Sequence, residues 1–588
     1  MSNKRIIMTG NEAFARGAFE GGVSVGTAYP GTPSTEIMEN LSTYPGVDCN
    51  WSPNEKTALE AGIGASIEGA RVLVAMKHVG VNVAADPLLT LSYTGVGGGL
   101  VLVSADDPGM HSSQNEQDNR HYARMAKIPM LEPSDSEEAR DFVIAGLALS
   151  EKFDTPVLLR STTRISHSRS TLVPGERNEK EISGFTKNPA KYVMLPGFAR
   201  KRHPVVEERL TSLREESENS PLNRIEEGNT DYGVVCSGIA YQYGREALPE
   251  ASFLKLGFSH PLPEKLIRKF ASSVKEIIVI EELDPFFEEQ LKTMDLGVPV
   301  KGKELFPLEG ELGAEIIREK VLSQKNELIT VRDNIPARPP VMCPGCSHRG
   351  VFYTLNKLKL KVTGDIGCYT LGALPPLNAI DTCICMGASV SAALGMAKAN
   401  PASAEDTVAV IGDSTFLHSG ITPLLDAVYS KAPITVLILD NSTTAMTGHQ
   451  CHPGTGTTLQ GEPAEAVDLE NLCRSLGVRQ VTAVDAFDLD ALKDTVKSGL
   501  DPDKDGPSVI IVRRPCVFLM SSFDEPPFVD EEECNGCKAC MKLGCPALIM
   551  KEDKAVINHT ICTACGLCEQ LCRFDAIKPA GTKAGDSK

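Results

Sequence analysis

Residues 408–420 read VAVIGDSTFLHSG, and residues 434–441 read ITVLILDN. Each opens on a continuous apolar run, the pattern of a strand buried on both faces of a parallel sheet. The first run ends at Gly412, Asp413 and Ser414, the second at Asn441. In open α/β sheets, ligands bind outside the carboxyl ends of the strands. Gly412 would let backbone approach a phosphate closely. Asp413 and Asn441 offer hard oxygen ligands, which Mg²⁺ takes together with water and phosphate. A Gly-Asp pair after a strand is by itself commonly a turn; the second polar strand end makes it a candidate site.

Working outward, a third apolar run, SVIIVRRP at 508–515, completes an α/β unit expected over 335–520. An earlier unit is expected over 1–165. There RVLVAMKH (71–78) and GLVLVSADDPG (99–109) read as strands, and 52–70 reads as a helix before them. Residues 166–230 are charged and read as a linker with one exposed helix near 203–218. A further α/β unit is expected over 231–334, and a cysteine-rich tail over 525–588. With 588 residues, at roughly 100–200 per domain, three to five domains are expected.

The net charge of −18 disfavours nucleic acid and anionic membrane surfaces as partners. No run of ~18 apolar residues suggests a membrane span, and the first residues lack the apolar core of a secretory signal. The 18 cysteines cluster at metal-ligand spacings, which points to a reducing cytoplasm.

The tail carries Cys534, Cys537, Cys540 and Cys545, then Cys562, Cys565, Cys568 and Cys572. Two CxxCxxC triples, each followed by a fourth Cys, predict two [4Fe–4S] clusters that exchange their fourth ligands. Cys534, Cys537, Cys540 and Cys572 then hold one; Cys545, Cys562, Cys565 and Cys568 hold the other. Structural zinc modules normally use CxxC pairs. Two departures stand out: four residues separate Cys540 from Cys545 where the regular pattern has three, and Arg573 follows Cys572 where proline is usual. The long gap makes the second cluster the one expected to have an altered potential or to lose one iron.

The Asp413–Asn441 pair is similar to the thiamine diphosphate motif, which begins Gly-Asp-Gly; here Ser414 takes the third place. YPGTPSTE (29–36), KHVGVNVAADPL (77–88), ADDPGMHSSQNEQDNR (105–120), CPGCSHRG (343–350), GDIGCYTLG (364–372) and CMGASVSAALG (385–395) point the same way. Together they closely resemble the alpha-subunit family of indolepyruvate:ferredoxin oxidoreductases, within the 2-oxoacid:ferredoxin oxidoreductases. The likeness runs along nearly the whole chain. It implies a multidomain α/β thiamine-diphosphate fold with a C-terminal α+β two-cluster ferredoxin domain. The expected order is a pyrimidine-binding domain, the linker, a transketolase-C-like domain, a diphosphate/Mg²⁺-binding domain and the tail.

By that resemblance Asp413, Asn441 and the Thr443 carbonyl ligate Mg²⁺, while Gly412, Ser414 and Gly387 border the cofactor. Glu55 meets the aminopyrimidine, and Thr32 meets the substrate carboxylate. His78 and Asn82 line the same pocket. Ser52-Pro53-Asn54-Glu55 also fits a capping box with Ser52 as N-cap and Glu55 at N3, a purely structural role. Cys343, Cys346, Cys368 and Cys516 match a proximal [4Fe–4S] cluster near thiamine, giving three clusters per chain. The remaining cysteines, including Cys383 and Cys385, read as buried thiols.

The expected activity is oxidative decarboxylation of aryl 2-oxoacids, of the indolepyruvate and phenylpyruvate class, to acyl-CoA and CO₂. Coenzyme A is the cosubstrate, ferredoxin the electron acceptor, and a separate beta subunit completes an alpha₂beta₂ assembly. The rivals are an enzyme for another 2-oxoacid, a non-oxidative thiamine decarboxylase, and a non-catalytic electron-transfer subunit. A plain decarboxylase has no use for the tail, and an electron-transfer subunit has none for Glu55, Asp413 and Asn441.

Overall fold

The computed structural model describes residues 4–325, 335–336, 338–501 and 504–581. The boundary expected at 334 and the last residues of the tail lie outside them. The chain divides into two compact units, Met1–Val331 with Leu459–Gly461, and Arg332–Thr458 with Glu462–Lys588.

The first unit is built on a seven-stranded sheet. Its strands, in spatial order, are Phe258–His260, Met130–Leu131, Val157–Thr162, Leu100–Asp106, Val72–Lys77, Val25–Ala28 and Asp48–Trp51. All pair in parallel except Phe258–His260, which runs antiparallel to Met130–Leu131. Every residue of Leu100–Asp106 and Val157–Thr162 is buried, as strands covered on both faces require. A five-stranded sheet follows, with Asn229–Cys236 between Ile277–Ile280 and Ala251–Leu256.

The helix expected to be exposed in the linker spans Pro196–Asn219 but buries Val206, Arg209, Leu213 and Ser217 along one face. The surrounding charge hides this narrow stripe in the sequence. The strand Asn223–Glu226 also lies within the span read as linker, and joins the five-stranded sheet antiparallel to Ala251–Leu256.

The second unit holds a six-stranded, all-parallel sheet in the order Thr382–Cys383, Lys361–Gly364, Thr407–Gly412, Thr435–Asp440, Ser508–Arg513, Gln480–Asp485. The tail adds two short antiparallel ladders, Phe528–Val529 with Ile577–Lys578 and Leu548–Lys551 with Lys554–Ile557. Among the described residues, no helix is long and apolar enough to cross a membrane.

Candidate active site and electron-transfer centres

In the first unit the candidate residues follow the carboxyl ends of neighbouring strands. Thr32 lies beyond Val25–Ala28, Glu55 beyond Asp48–Trp51, His78 beyond Val72–Lys77, and Asp107 beyond Leu100–Asp106. Glu55 is buried at the first position of the helix Glu55–Ile67. The capping box does not form. Asn54 is the N-cap, and its side-chain oxygen accepts the Thr57 N–H at 2.9 Å. Asn54 therefore takes the cap that Ser52 was expected to provide, and Glu55 is not engaged as its N3 partner. The carboxylate instead packs over Gly80, where a Cβ would stand 2.6 Å from Oε1 and 2.7 Å from Cγ.

Beside Thr32 lies a cation the sequence did not single out. Lys77 Nζ donates to the Ser112 carbonyl at 2.6 Å, and the Ser112 hydroxyl donates to the Thr32 carbonyl at 3.4 Å. Burial pushes Lys77 down to about 8, against the pull of Asp107. Burial would raise Asp107, but hydrogen bonds from Ser113, Thr163 and the Ser112 N–H outweigh it and hold the carboxyl below its usual range. His78 is fully buried, and burial, reinforced by Lys77, lowers its pKa. Asn82 does not join it. Its amide exchanges hydrogen bonds with Gln117 and accepts from Tyr122 Oη, at the wall of another cavity.

The end of the 105–120 loop is structural. Arg120, 1% exposed, donates to Asp118 at 2.5 Å and to Glu281 at 2.6 Å. Arg160 likewise bridges Asp106 at 2.7 Å and Glu132 at 2.6 Å. Burial raises Asp106 to about 6 despite Arg160.

In the second unit the strand ends converge again. Asp413 is buried, with Oδ1 accepting the Ser414 N–H and Oδ2 the Ser442 N–H, each at 2.8 Å. Burial pushes its pKa up, and His452, 3.4 Å away, pulls the other way. The Asn441 amide meets the Thr443 carbonyl at 2.8 Å and Asp413 Oδ1 at 3.2 Å. With its nitrogen turned there, Asn441 donates to both. With its oxygen turned there, three oxygens face one another, an arrangement that requires a cation. The donor set therefore fits Mg²⁺, and a bound divalent ion removes the cost of ionising buried Asp413.

Gly412 and Gly387 are also held to glycine by their neighbours within the fold. A Cβ at Gly412 would lie 2.7 Å from the Tyr369 ring, so the close approach there is made by a buried aromatic. Gly387 has φ +87°, and a Cβ would collide with the Ser419 carbonyl; its N–H donates to Asp365 Oδ1 at 2.9 Å. Asp365 Oδ2 accepts the Ser389 N–H at 3.0 Å. Asp365 was missed, although it follows the strand Lys361–Gly364 and carried the same strand-end signal as Asp413. His348 was missed too. Buried and pushed down to about 4, it stays neutral 3.5 Å from the Asn441 side-chain amide. Ser414 is buried and its hydroxyl accepts from Thr444 at 2.9 Å.

The thiols of Cys343, Cys346, Cys368 and Cys516 form one group. Burial first, then the neighbouring Cys343 and Cys368, raise Cys346 to about 12. Burial, then Cys516 and Cys343, raise Cys368 to about 11. The Cys516 N–H donates to the Asn441 carbonyl at 2.9 Å, so this group begins where the oxygen cluster ends. Cys383 and Cys385, expected to be buried, are exposed, because their segment forms the two-residue edge strand of the sheet.

The tail groups its eight cysteines around two cavities. Cys534, Cys537, Cys540 and Cys572 line one cavity; Cys545, Cys562, Cys565 and Cys568 line another. The extra residue before Cys545 is absorbed by a 3-10 turn, Cys540–Leu543, closed by Gly544 at φ +63°. Pro344 and Gly345 line the second cavity as well. Gly345 (φ +68°) leaves room for Thr563, and Arg349 donates to the Leu543 carbonyl at 2.7 Å.

Comparison with known proteins agrees with these centres. A family profile described as pyruvate flavodoxin/ferredoxin oxidoreductase, thiamine diphosphate-binding, matches residues 16–216. A thiamine pyrophosphate enzyme C-terminal binding domain matches 365–512, and a 4Fe-4S binding domain matches 555–578. The chain is 42% identical to "Indolepyruvate oxidoreductase subunit IorA" of Archaeoglobus fulgidus, over 98% of each chain. It is 40% identical to the protein of that name from Pyrococcus abyssi, over 98% of this chain and 97% of the relative. A more distant likeness, 25% identity over 46% of this chain and 86% of the relative, is to "2-oxoglutarate synthase subunit KorA" of Methanothermobacter marburgensis. Full-length identity at this level, on a chain with both thiamine-binding domains and a cluster-binding tail, places the protein in the indolepyruvate oxidoreductase subunit IorA family, oxidoreductases that couple thiamine diphosphate and iron–sulfur chemistry.

Proposed function

We propose that this chain is the catalytic alpha subunit of an enzyme that oxidatively decarboxylates aryl 2-oxoacids to acyl-CoA, passing the electrons to ferredoxin. The observation that carries the reading is the continuity inside the second unit. The Asp413–Asn441–Thr443 oxygens adjoin the Cys516 thiol group, whose Pro344–Gly345 loop lines the next cysteine cavity. The relatives' name supports indolepyruvate as the substrate type.

Bound thiamine diphosphate supplies the electron sink that lets a 2-oxoacid release CO₂. Asp413, Asn441 and the Thr443 carbonyl would hold its Mg²⁺. Glu55, buried and positioned by Gly80, would hold a proton against the aminopyrimidine ring. Thr32 and Lys77 would bind the substrate carboxylate, Lys77 as its counter-charge. Cys343, Cys346, Cys368 and Cys516 would hold a third [4Fe–4S] cluster. A separate beta subunit would complete an alpha₂beta₂ assembly in the reducing cytoplasm.

The test is dye reduction by the alpha–beta complex with CoA and a panel of 2-oxoacids. Arylpyruvates should be preferred, and preference for pyruvate would overturn the substrate assignment. Iron should approach about twelve atoms per alpha chain; about eight would remove the third cluster.

A further inference from the structure

The chain is strongly acidic, yet one face beside the tail is basic. A groove of ≈ 590 Å³ lies between the helices His348–Leu358 and Leu489–Gly499 and the tail. Lys357, Lys493, Lys542 and Arg573 line it, against the single acid Asp490. None of the four cations has an ion-pair partner among the described residues, although most other basic groups of this −18 chain do. Cys537 is exposed, and Cys537, Ala539 and Phe574 line both this groove and the Cys534/Cys537/Cys540/Cys572 cavity. Phe574 is 48% exposed at that shared wall. Arg573, the departure from the proline that ordinarily follows such a cysteine, thus belongs to the groove.

We infer that this groove is the docking surface for the external electron acceptor, a small acidic iron–sulfur protein of the ferredoxin type. The inference rests on reading the tail as the electron exit. Unpaired cations around an exposed aromatic combine steering charge with an apolar anchor. The first cavity opens to this groove, whereas the second lies against the Pro344–Gly345 loop, so the Cys534 cluster is the outward one. Each docking event moves one electron. The cluster there is oxidised, the acceptor's is reduced, and no bond forms or breaks; substrate oxidation supplies the electron.

The experiment uses the alpha–beta complex carrying Lys357→Glu and Lys493→Glu, two substitutions on the helices that border the groove, neither at a cysteine ligand. A purified acidic [4Fe–4S] ferredoxin is the probe and a viologen dye the control, both with phenylpyruvate and CoA. The kcat/KM for ferredoxin should fall on the order of tenfold at low salt and lose much of its salt dependence. Dye reduction should be unchanged. Carbodiimide cross-linking of the unsubstituted complex to ferredoxin should map to Lys357, Lys493 or Lys542. Unchanged ferredoxin kinetics, or cross-links elsewhere, would overturn the assignment. Release of the beta subunit by the two substitutions would give the groove to that interface instead. Absence of dye reduction in the unsubstituted complex would remove the functional reading, while cross-linking would still decide the surface.

Discussion

Glu55 and Gly80 form a tight pair: the carboxylate lies where any side chain at position 80 would stand, 2.6 Å from the place a methyl carbon would take. Gly80→Ala should therefore leave the fold intact and displace Glu55. A shift of ~1 Å in such a group costs about 100-fold in turnover. Glu55→Gln, which keeps the shape and removes the proton exchange, should cost about 10²–10⁴-fold. Steady-state kinetics beside thermal unfolding separates the two effects. A Gly80→Ala enzyme with full activity would sever the link between this packing and catalysis.

Asp413→Ala removes one of three converging oxygens. The purified variant should lose bound thiamine and Mg²⁺-dependent cofactor affinity, while the iron–sulfur EPR signals of the tail persist. Retained thiamine affinity, measured by calorimetry, would count against the Mg²⁺ assignment.

Lys77 gives a pH signature. Its pKa is depressed to about 8, so it is charged below that pH and neutral above. If it pairs with the substrate carboxylate, kcat/KM falls as pH rises through about 8, with KM carrying the change. Lys77→Arg should move that limb to higher pH, because a guanidinium stays charged. Lys77→Met should abolish it and raise KM. A limb that survives in Lys77→Met belongs to another group.

Arg120→Met strands Asp118 and Glu281, both buried. Breaking such a pair by removing one partner costs about 3–5 kcal/mol. Asp118 sits below its ordinary 3.8 beside Arg120, though burial opposes this. The stability it contributes is therefore present above that pH and lost as pH falls further. The variant's deficit should be full at neutral pH and shrink below about pH 4. Denaturant unfolding at the two pH values checks it.

Cys545 lines the second cavity in spite of the longer spacing before it. Cys545→Ala should convert or abolish one of the tail's two four-iron EPR signals and spare the other. Two unchanged signals would mean that Cys545 is not a ligand.

Local patterns were legible in the sequence. The parallel strands showed as apolar runs, and the two cysteine sets showed as triples with exchanged fourth members. Strand-end residues such as Asp413 and Asn441 were visible because the run stops at a polar group. What escaped depends on distant partners. Arg120 meets Glu281 across 161 positions, and Gly412 makes room for Tyr369, so neither reason is written nearby. Ser52 and Glu55 carried a capping signature, but Asn54, closer to the helix start, took the cap. The buried stripe of Pro196–Asn219 was masked by its charges.

The four-residue loop Cys343–Pro344–Gly345–Cys346 carries two of the four grouped thiols and also lines the neighbouring cysteine cavity, and Thr563, Leu543 and Gly544 are wedged around its neighbourhood, Gly544 lying where a methyl group would stand 2.6 Å from Pro376. Such a joint is soldered rather than hinged. If the tail is the electron exit, packing this close leaves it no room to swing like a tethered carrier arm, so internal electron passage should be indifferent to solvent viscosity. Only the final hand-over to a diffusing protein should slow in glycerol.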